Sequence, residues 1–165
     1  MAFKQSFPPV VDPRVRVLVL GSLPGEQSLA AQRYYANPQN QFWRLMSGVV
    51  DEDLVPLDYD ARLARLLASR VGLWDVVASA QRTGSTDAAL RDISANDLAA
   101  LVATLPDLRA IGFNGGASYK HGLRQLGPAA SQYAIHPLPS SSGMHTVGLD
   151  AKRPAWRELA RYLDV

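Results

Sequence analysis

The chain has 165 residues, 47% of them hydrophobic and 19% charged, with a formal net charge of +2 and no cysteine. That length supplies one domain with a sizeable core, and the lack of cysteine excludes disulfides, thiolate metal ligands, iron–sulfur clusters and Cys nucleophiles. No run approaches the roughly 20 apolar residues that a bilayer span needs, and the N-terminal MAFKQSFPPVVDP lacks the apolar core of a secretory signal, so a cytoplasmic setting with no membrane partner is expected.

Val15 to Leu20 is β-branched and apolar and stops at Gly21, which predicts a buried strand. Phe42, Trp43, Leu45, Met46 and Val49 recur at helical spacing within Asn40–Val50, and Leu63, Leu66 and Leu67 do so within Asp60–Arg70. Val71 to Val77 reads as a second buried strand. Ser94 predicts the N-cap of a helix running to Ala103, with Asp97 at the N3 position. Leu108–Phe113 is a third strand ending on Asn114-Gly115-Gly116, and Ala117–Leu126 a helix stopped by Gly127-Pro128. Gln132–Leu138 is a fourth strand, and Lys152–Leu163 a closing helix with Pro154 in its first turn. Buried strands alternating with helices predict an α/β fold. The expected form is a three-layer α/β/α sandwich around a central, mostly parallel, twisted four-stranded sheet, in a single domain over residues 1–165.

Ligands of open α/β sheets bind outside the carboxyl ends of the strands. Those ends are residues 21–25, Asp75 onward, 114–116 and 139–146, which are also the stretches richest in Gly, Pro, Ser and Asn. Gly21-Ser22-Leu23-Pro24-Gly25 could approach a ligand with its backbone, or be a plain strand-to-helix connection; its spacing is neither a dinucleotide fingerprint nor a P-loop. In Tyr34-Tyr35-Ala36-Asn37-Pro38-Gln39-Asn40-Gln41-Phe42-Trp43 at least one Tyr ring should be presented for stacking, while Phe42 and Trp43 are expected in the core. Asn40 is either an amide facing a base edge or water or the N-cap of the following helix. The run Ser140-Ser141-Ser142-Gly143-Met144 suits phosphate contacts with an apolar wedge at its tip, or is simply a polar surface loop. Asp75 is either a cap after its strand or a water-activating carboxylate, and Asp87 is a second such candidate. No cofactor and no metal is expected, because three His without a His/Asp/Glu cluster at ligand spacing do not make a metal site. A Ser–His hydrolase lacks its G-x-S-x-G elbow. The basic residues Arg14, Arg16, Lys120, His121, Arg124, Lys152, Arg153 and Arg157 near element ends are either a local basic face for nucleic acid or, as charge alone favours, ordinary solvated surface.

In order and together, GSLPG (21–25), YANPQNQFW (35–43) and LPSSSGM (138–144) resemble the uracil-DNA glycosylase superfamily. The mismatch-specific branch carries G-I-N-P-G, F-A-H-P-A-N-R-F-W and L-P-N-P-S-G-L at matching places. The hypoxanthine-DNA glycosylase branch is closer, with G-S-x-P-G, Q-x-Y-Y-A-x-P-x-N-x-F-W, L-W-D-V and a loop beginning L-P-S; Gln32–Trp43, Gly72–Val77, Arg82-Thr83-Gly84-Ser85 and Phe113-Asn114-Gly115 fit it.

The resemblance implies a monofunctional glycosylase that flips out a deaminated base (hypoxanthine, then uracil or xanthine) from DNA and hydrolyses its N-glycosidic bond, acting as a monomer in a bacterial-type, nucleoid-associated setting. It implies that Gly21, Ser22, Leu23, Pro24 and Gly25 line the base pocket with Asn114, that Tyr35 stacks on the base, and that Asn40 is the catalytic or water-positioning amide. Ser140, Ser141, Ser142 and Gly143 would grip flanking phosphates and Met144 fill the gap left by the flipped nucleotide. The mismatch branch has a catalytic Asn in its first motif, set here against Ser22, which shifts the chemistry toward Asn40 with Ser22 as its companion. A mismatch-specific uracil/thymine glycosylase, or a catalytically impaired module binding DNA or a nucleotide, are the alternatives.

Overall fold

The computed structural model describes residues 2–5, 7–82, 91–143 and 147–163. Strand β2 (Val17–Gly21), preceded in the chain by a short strand β1 (Ala2–Gln5), is the axis of the molecule. It pairs in parallel with β3 (Val71–Asp75) on one side and β6 (Ala110–Asn114) on the other, and β7 (Ala134–Leu138) pairs in parallel outside β6. The order β3-β2-β6-β7 is the four-stranded parallel sheet that the buried strands implied. Alternate side chains of β2 enter opposite cores, Val17 and Val19 one, Leu18 and Leu20 the other, as the period of 2 requires. A strand buried on both faces has no polar side to show, which is why its sequence is a continuous apolar run.

The first core is closed by α2 (Phe42–Val50), α3 (Tyr59–Ala68) and α6 (Leu149–Arg157), which contribute Phe42, Leu45, Met46, Leu66 and Trp156. The second is closed by α4 (Leu98–Ala103) and α5 (Gly116–Leu126), through Leu98, Val102 and Leu126 against Ile111 and Phe113. The result is the expected three-layer α/β/α arrangement. Local chemistry sets the ends: Asp58 caps α3 by accepting the Ala61 amide at 2.8 Å, and Gly127 ends α5, after which the chain makes a 3-10 turn over Gly127–Gln132.

Several boundaries differ from the sequence reading. Val76 and Val77 do not extend β3; Val77 opens β4 (Val77–Arg82), which lies between β1 and β5 (Arg91–Ala95) in a separate antiparallel sheet of order β1-β4-β5. Its strands read AFKQ, VASAQR and RDISA, short and mostly polar, so no apolar run announces them. A one-and-a-half-turn helix α1 (Glu26–Ala31), six residues long, follows the GSLPG loop without having been anticipated. Helix α6 begins at Leu149 rather than Lys152, which places Pro154 inside it instead of in its first turn, and a 3-10 turn (Glu158–Tyr162) completes the segment. No helix among the described residues is long and apolar enough to cross a membrane.

Ser94 is not a helix cap. It lies in β5, paired with Ser79, and the cap of α4 is Asp97, whose carboxylate accepts the Ala100 amide at 3.0 Å. The Ser-x-x-Asp spacing imitates a capping box, but pairing with β4 holds residues up to Ala95 extended. Asp97→Ala is therefore expected to lower the unfolding free energy by about 1 kcal/mol, whereas Ser94→Ala, at an exposed strand position, should stay within about 0.5 kcal/mol. Paired urea melts of the two variants check this, and the reverse ranking would restore the helix start to Ser94.

Candidate active site

Because β2 and β3 pair Gly21 with Asp75, and β6 and β7 pair Asn114 with Leu138, the parallel strands end in one row. The loops that leave this row enclose a cavity of about 140 Å³ lined by residues 21–25, Tyr35, Asn40, Asp75, Asn114 and 140–143. That is roughly ten times the ~15 Å³ that one water needs, so the space accepts something of the size of a heteroaromatic ring. Asp75, 3% exposed, is the charged residue of this lining among the described residues. A Cβ on Gly21 would lie 2.7 Å from Asp75 Oδ1 and 3.0 Å from Tyr35 Oη, so only glycine lets the carboxylate and the phenol approach the backbone here. The strand ladder runs on into the motif, the Val76 and Val77 amides donating to the carbonyls of Gly21 and Ser22 at 2.8 and 2.9 Å.

The second wall is the loop before α2. Its two tyrosines have opposite fates. Tyr34 is 3% exposed, donates its hydroxyl to Pro8 O at 3.0 Å and meets Phe7 edge-on; burial, then the nearby Asp75 charge, pushes its phenol well above the usual range. Tyr35 lines the cavity with its backbone in the left-handed region (φ 55°) and its ring stacked on Phe42 at 3.8 Å and 9°. A non-glycine residue there costs on the order of 1–3 kcal/mol and persists only where neighbours over-determine it. They do: Trp43 Nε1 donates to Tyr35 O at 3.3 Å, and the next amide, of Ala36, donates to buried Ser28 Oγ at 3.0 Å. Asn37 shapes the following turn by accepting the Gln39 amide at 2.9 Å.

Gln41, not Asn40, is the N-cap of α2, and Asn40 lines the cavity. Its Oδ1 accepts the Phe42 amide at 2.9 Å, steadying the start of α2, and also the Ser141 hydroxyl at 2.7 Å. With the oxygen so engaged, the group Asn40 has left to offer the cavity is its Nδ2 donor pair.

The third wall is the loop after β7. Ser141 is 1% exposed and satisfied in all directions: its hydroxyl donates to Asn40 and accepts from Asn114 Nδ2 at 2.9 Å, its amide donates to Asn114 Oδ1 at 2.9 Å, and its carbonyl accepts the Gln41 amide at 2.8 Å. Asn114 Nδ2 lies 3.3 Å from Tyr35 Oη as well. Asn40, Ser141, Asn114 and Tyr35 thus form one chain of hydrogen bonds across three elements, and buried networks of this kind are rigid when complete. Ser142 turns its amide onto Ser140 Oγ at 3.1 Å, and a Cβ on Gly143 would lie 2.7 Å from Gln39 O, so the two loops touch backbone to backbone.

The basic residues divide. Arg14 and Arg153 pair on the surface with Asp12 (3.0 Å) and Asp150 (2.9 Å), contacts worth about 0–1 kcal/mol. Arg16, 8% exposed, donates to Leu163 O at 2.9 Å from the end of the sheet opposite the cavity. Lys152 is fully buried, its ammonium donating to Gln41 Oε1 at 2.7 Å and Ser142 O at 3.2 Å, and burial holds it below the ordinary lysine value. Neither Arg16 nor Lys152 is the solvated surface charge expected from sequence.

Of the residues singled out by sequence, Gly21, Ser22, Leu23, Pro24, Gly25, Tyr35, Asn40, Asp75, Asn114, Ser140, Ser141, Ser142 and Gly143 converge on this cavity. Met144 and Asp87 lie outside the described residues. One position is corrected by counting: the Asn of G-I-N-P-G stands third, and the third residue of GSLPG is Leu23, not Ser22. Leu23 packs on Val77 and brings no polar group, while Ser22, 7% exposed, is the hydroxyl of the motif. His136 sits apart on β7, bonded to Tyr162 Oη at 2.7 Å. Among the described residues no three His, Asp or Glu side chains are grouped to hold a metal. Gln41, Ser28 and Lys152 were missed; nothing in a polar heptad around Lys152 announces a buried ammonium, whereas Gln41, next to Asn40, stood in the quoted motif.

Comparison with known proteins places the chain in a family. Residues 8–161 match the family model described as the uracil DNA glycosylase superfamily. The chain is 38% identical over 157 residues to a protein of Methanosarcina barkeri (strain Fusaro) named hypoxanthine DNA glycosylase, covering 94% of this chain and 96% of that one. It is equally 38% identical over 161 residues to a protein of the same name from Methanosarcina acetivorans, covering 96% and 99%. A solution NMR structure from Methanosarcina acetivorans, described as a candidate uracil DNA glycosylase, superposes with a TM-score of 0.85 at 37% identity, covering 98% of this chain and 99% of that one. With the matching model spanning nearly the whole chain and its motifs assembled around one cavity, the chain belongs to the uracil DNA glycosylase superfamily.

Proposed function

We propose that this DNA glycosylase excises hypoxanthine in preference to other deaminated bases, holding the flipped base in the cavity between Tyr35, Asn40, Asn114 and the 21–25 loop. The observation that carries the reading is the hydrogen-bond chain Asn40–Ser141–Asn114–Tyr35, which fixes amide donors and a ring face around a space of base size. The names of the relatives in two Methanosarcina species support the choice of hypoxanthine.

An N-glycosidic bond in stacked DNA is shielded, so the nucleotide must leave the helix, at a cost of a few kcal/mol that is least for mispaired bases. In the cavity the ring of Tyr35, held by Phe42, offers one flat face for stacking. As the bond to C1′ breaks, positive charge grows on the sugar and negative charge on the base. The Asn40 Nδ2 donors, pre-oriented because Oδ1 is already bonded twice, stabilise the departing base without having to reorganise. Asp75, buried at the same row, is placed to accept a base N–H or to orient water. Ser141 acts through Asn40 and Asn114 rather than on phosphate, since its hydroxyl is committed internally; Ser140, Ser142 and Gly143 are left as the phosphate-facing residues. Among the described residues the cavity lining contains no Lys, which supports hydrolysis without a Schiff-base intermediate.

Duplexes carrying one inosine, uracil or xanthine, treated with the protein and then with alkali, should break fastest at inosine; intact strands in all cases would remove the reading. Asn40→Asp keeps the oxygen that Phe42 and Ser141 bond and removes the donor pair. It should slow single-turnover excision by about 10²–10³-fold with little change in melting, and an unaffected rate would remove Asn40 from the chemistry. Ser141→Ala leaves Asn114 Nδ2 and Asn40 Oδ1 short of a partner and should lower stability by about 1–3 kcal/mol in denaturant titration.

A further inference from the structure

Lys152 has no carboxylate within ion-pair distance among the described residues, although it is completely buried. Burying an ammonium without a counter-charge opposes folding, and apolar residues of like volume commonly serve stability as well or better. Its two partners explain its presence another way. Gln41 Oε1 and Ser142 O are both acceptors converging on one point; two acceptors cannot bond each other, and an ammonium with several N–H groups bonds both at once. Each partner is the residue directly after a member of the central contact, Gln41 after Asn40 and Ser142 after Ser141, and those two share the 2.7 Å hydrogen bond. The ammonium therefore fastens the loop before α2 and the loop after β7 to a third element, α6, immediately behind the Asn40–Ser141 bond.

We propose that Lys152 is a positioning residue for excision: it holds the Gln41 side chain and the Ser142 carbonyl together and thereby fixes where the Asn40 donors stand. This rests on the reading of the cavity as a base-excision site. Gln41 and Ser142 are both only half-buried, so when the clamp is lost their oxygens can turn to water. The loss then falls on geometry more than on stability, and a displacement of about 1 Å at a reacting site is worth up to about 10²-fold in rate.

The test compares K152M, Q41L and the double variant on whichever base the unmodified protein excises. K152M should slow single-turnover excision about 10–100-fold with KM for the duplex within about threefold and melting unchanged or raised. The double variant should be no slower than the slower single one, because residues of one unit are non-additive. Multiplying losses, an unchanged rate, or a loss that tracks a fall in melting temperature would overturn the proposal. Hydrogen exchange reads the clamp without any substrate: the Gln41 amide, bonded to Ser141 O, should exchange at least tenfold faster in K152M, and equal protection overturns it. Absence of excision by the unmodified protein would sink the base-excision reading alone, leaving the exchange result to judge the clamp. If K152M does not fold, Q41L by itself must show slowed excision at unchanged melting, and full activity in Q41L overturns the assignment.

Discussion

Four parallel strands that start in one row must end in one row, and everything about the cavity follows from that register. Val17 stands beside Val71 and Ala110, and Ala110 beside Ala134. With strands of five residues each, Gly21, Asp75, Asn114 and Leu138 are then brought level without any further interaction. A slip of one residue in a single strand would exchange its two faces, sending Leu18 and Leu20 into the wrong core and moving a pocket residue out of line. The apolar packing on both faces of β2 thus fixes the positions of polar groups that it never touches.

Given that row, the site is assembled from side chains that satisfy each other before they meet a ligand. Ser141 and Asn114 use most of their hydrogen-bonding capacity within the network, Asn40 uses its oxygen on Phe42 and Ser141, and what remains is pointed by what is used. Such a site has little to rearrange when charge appears, which is the condition under which fixed dipoles act strongly. The same economy explains why neutral amides and hydroxyls dominate the lining, with Asp75 set deep among them. Charged groups would need counter-charges or water, and both would compete with a base.

Much of this was legible in the sequence where apolar patterning or a motif carried it. The four buried strands and the helices α2, α3 and α5 follow from residues whose burial dictates their spacing. The antiparallel sheet escaped because AFKQ, VASAQR and RDISA carry no such pattern; pairing alone makes them strands. Ser94 misled because local capping chemistry and strand pairing competed for the same residues, and pairing with β4 prevailed. The resemblance placed the cavity residues in a common region, but not their bonding: that Ser141 is an internal link, or that Tyr34 is core while its neighbour Tyr35 is not, depends on contacts more than 25 residues apart in sequence. Lys152 shows the limit most clearly, since a lysine in a polar helix looks the same on paper whether it faces water or the back of a pocket.

The stacking of Tyr35 on Phe42 has a mechanical corollary. Phe42 is wholly buried and meets Trp43 and Trp156 edge-on, so the Tyr35 ring stacked on it is a continuation of the aromatic interior rather than a freely hinged flap. Its tilt is inherited from the packing of α2 against α6. Sequence drift deep in that packing can therefore retune the angle of the ring while every residue of the cavity wall stays the same; on the proposed reading, that gives a lineage a way to adjust what it accepts without altering the surface that accepts it.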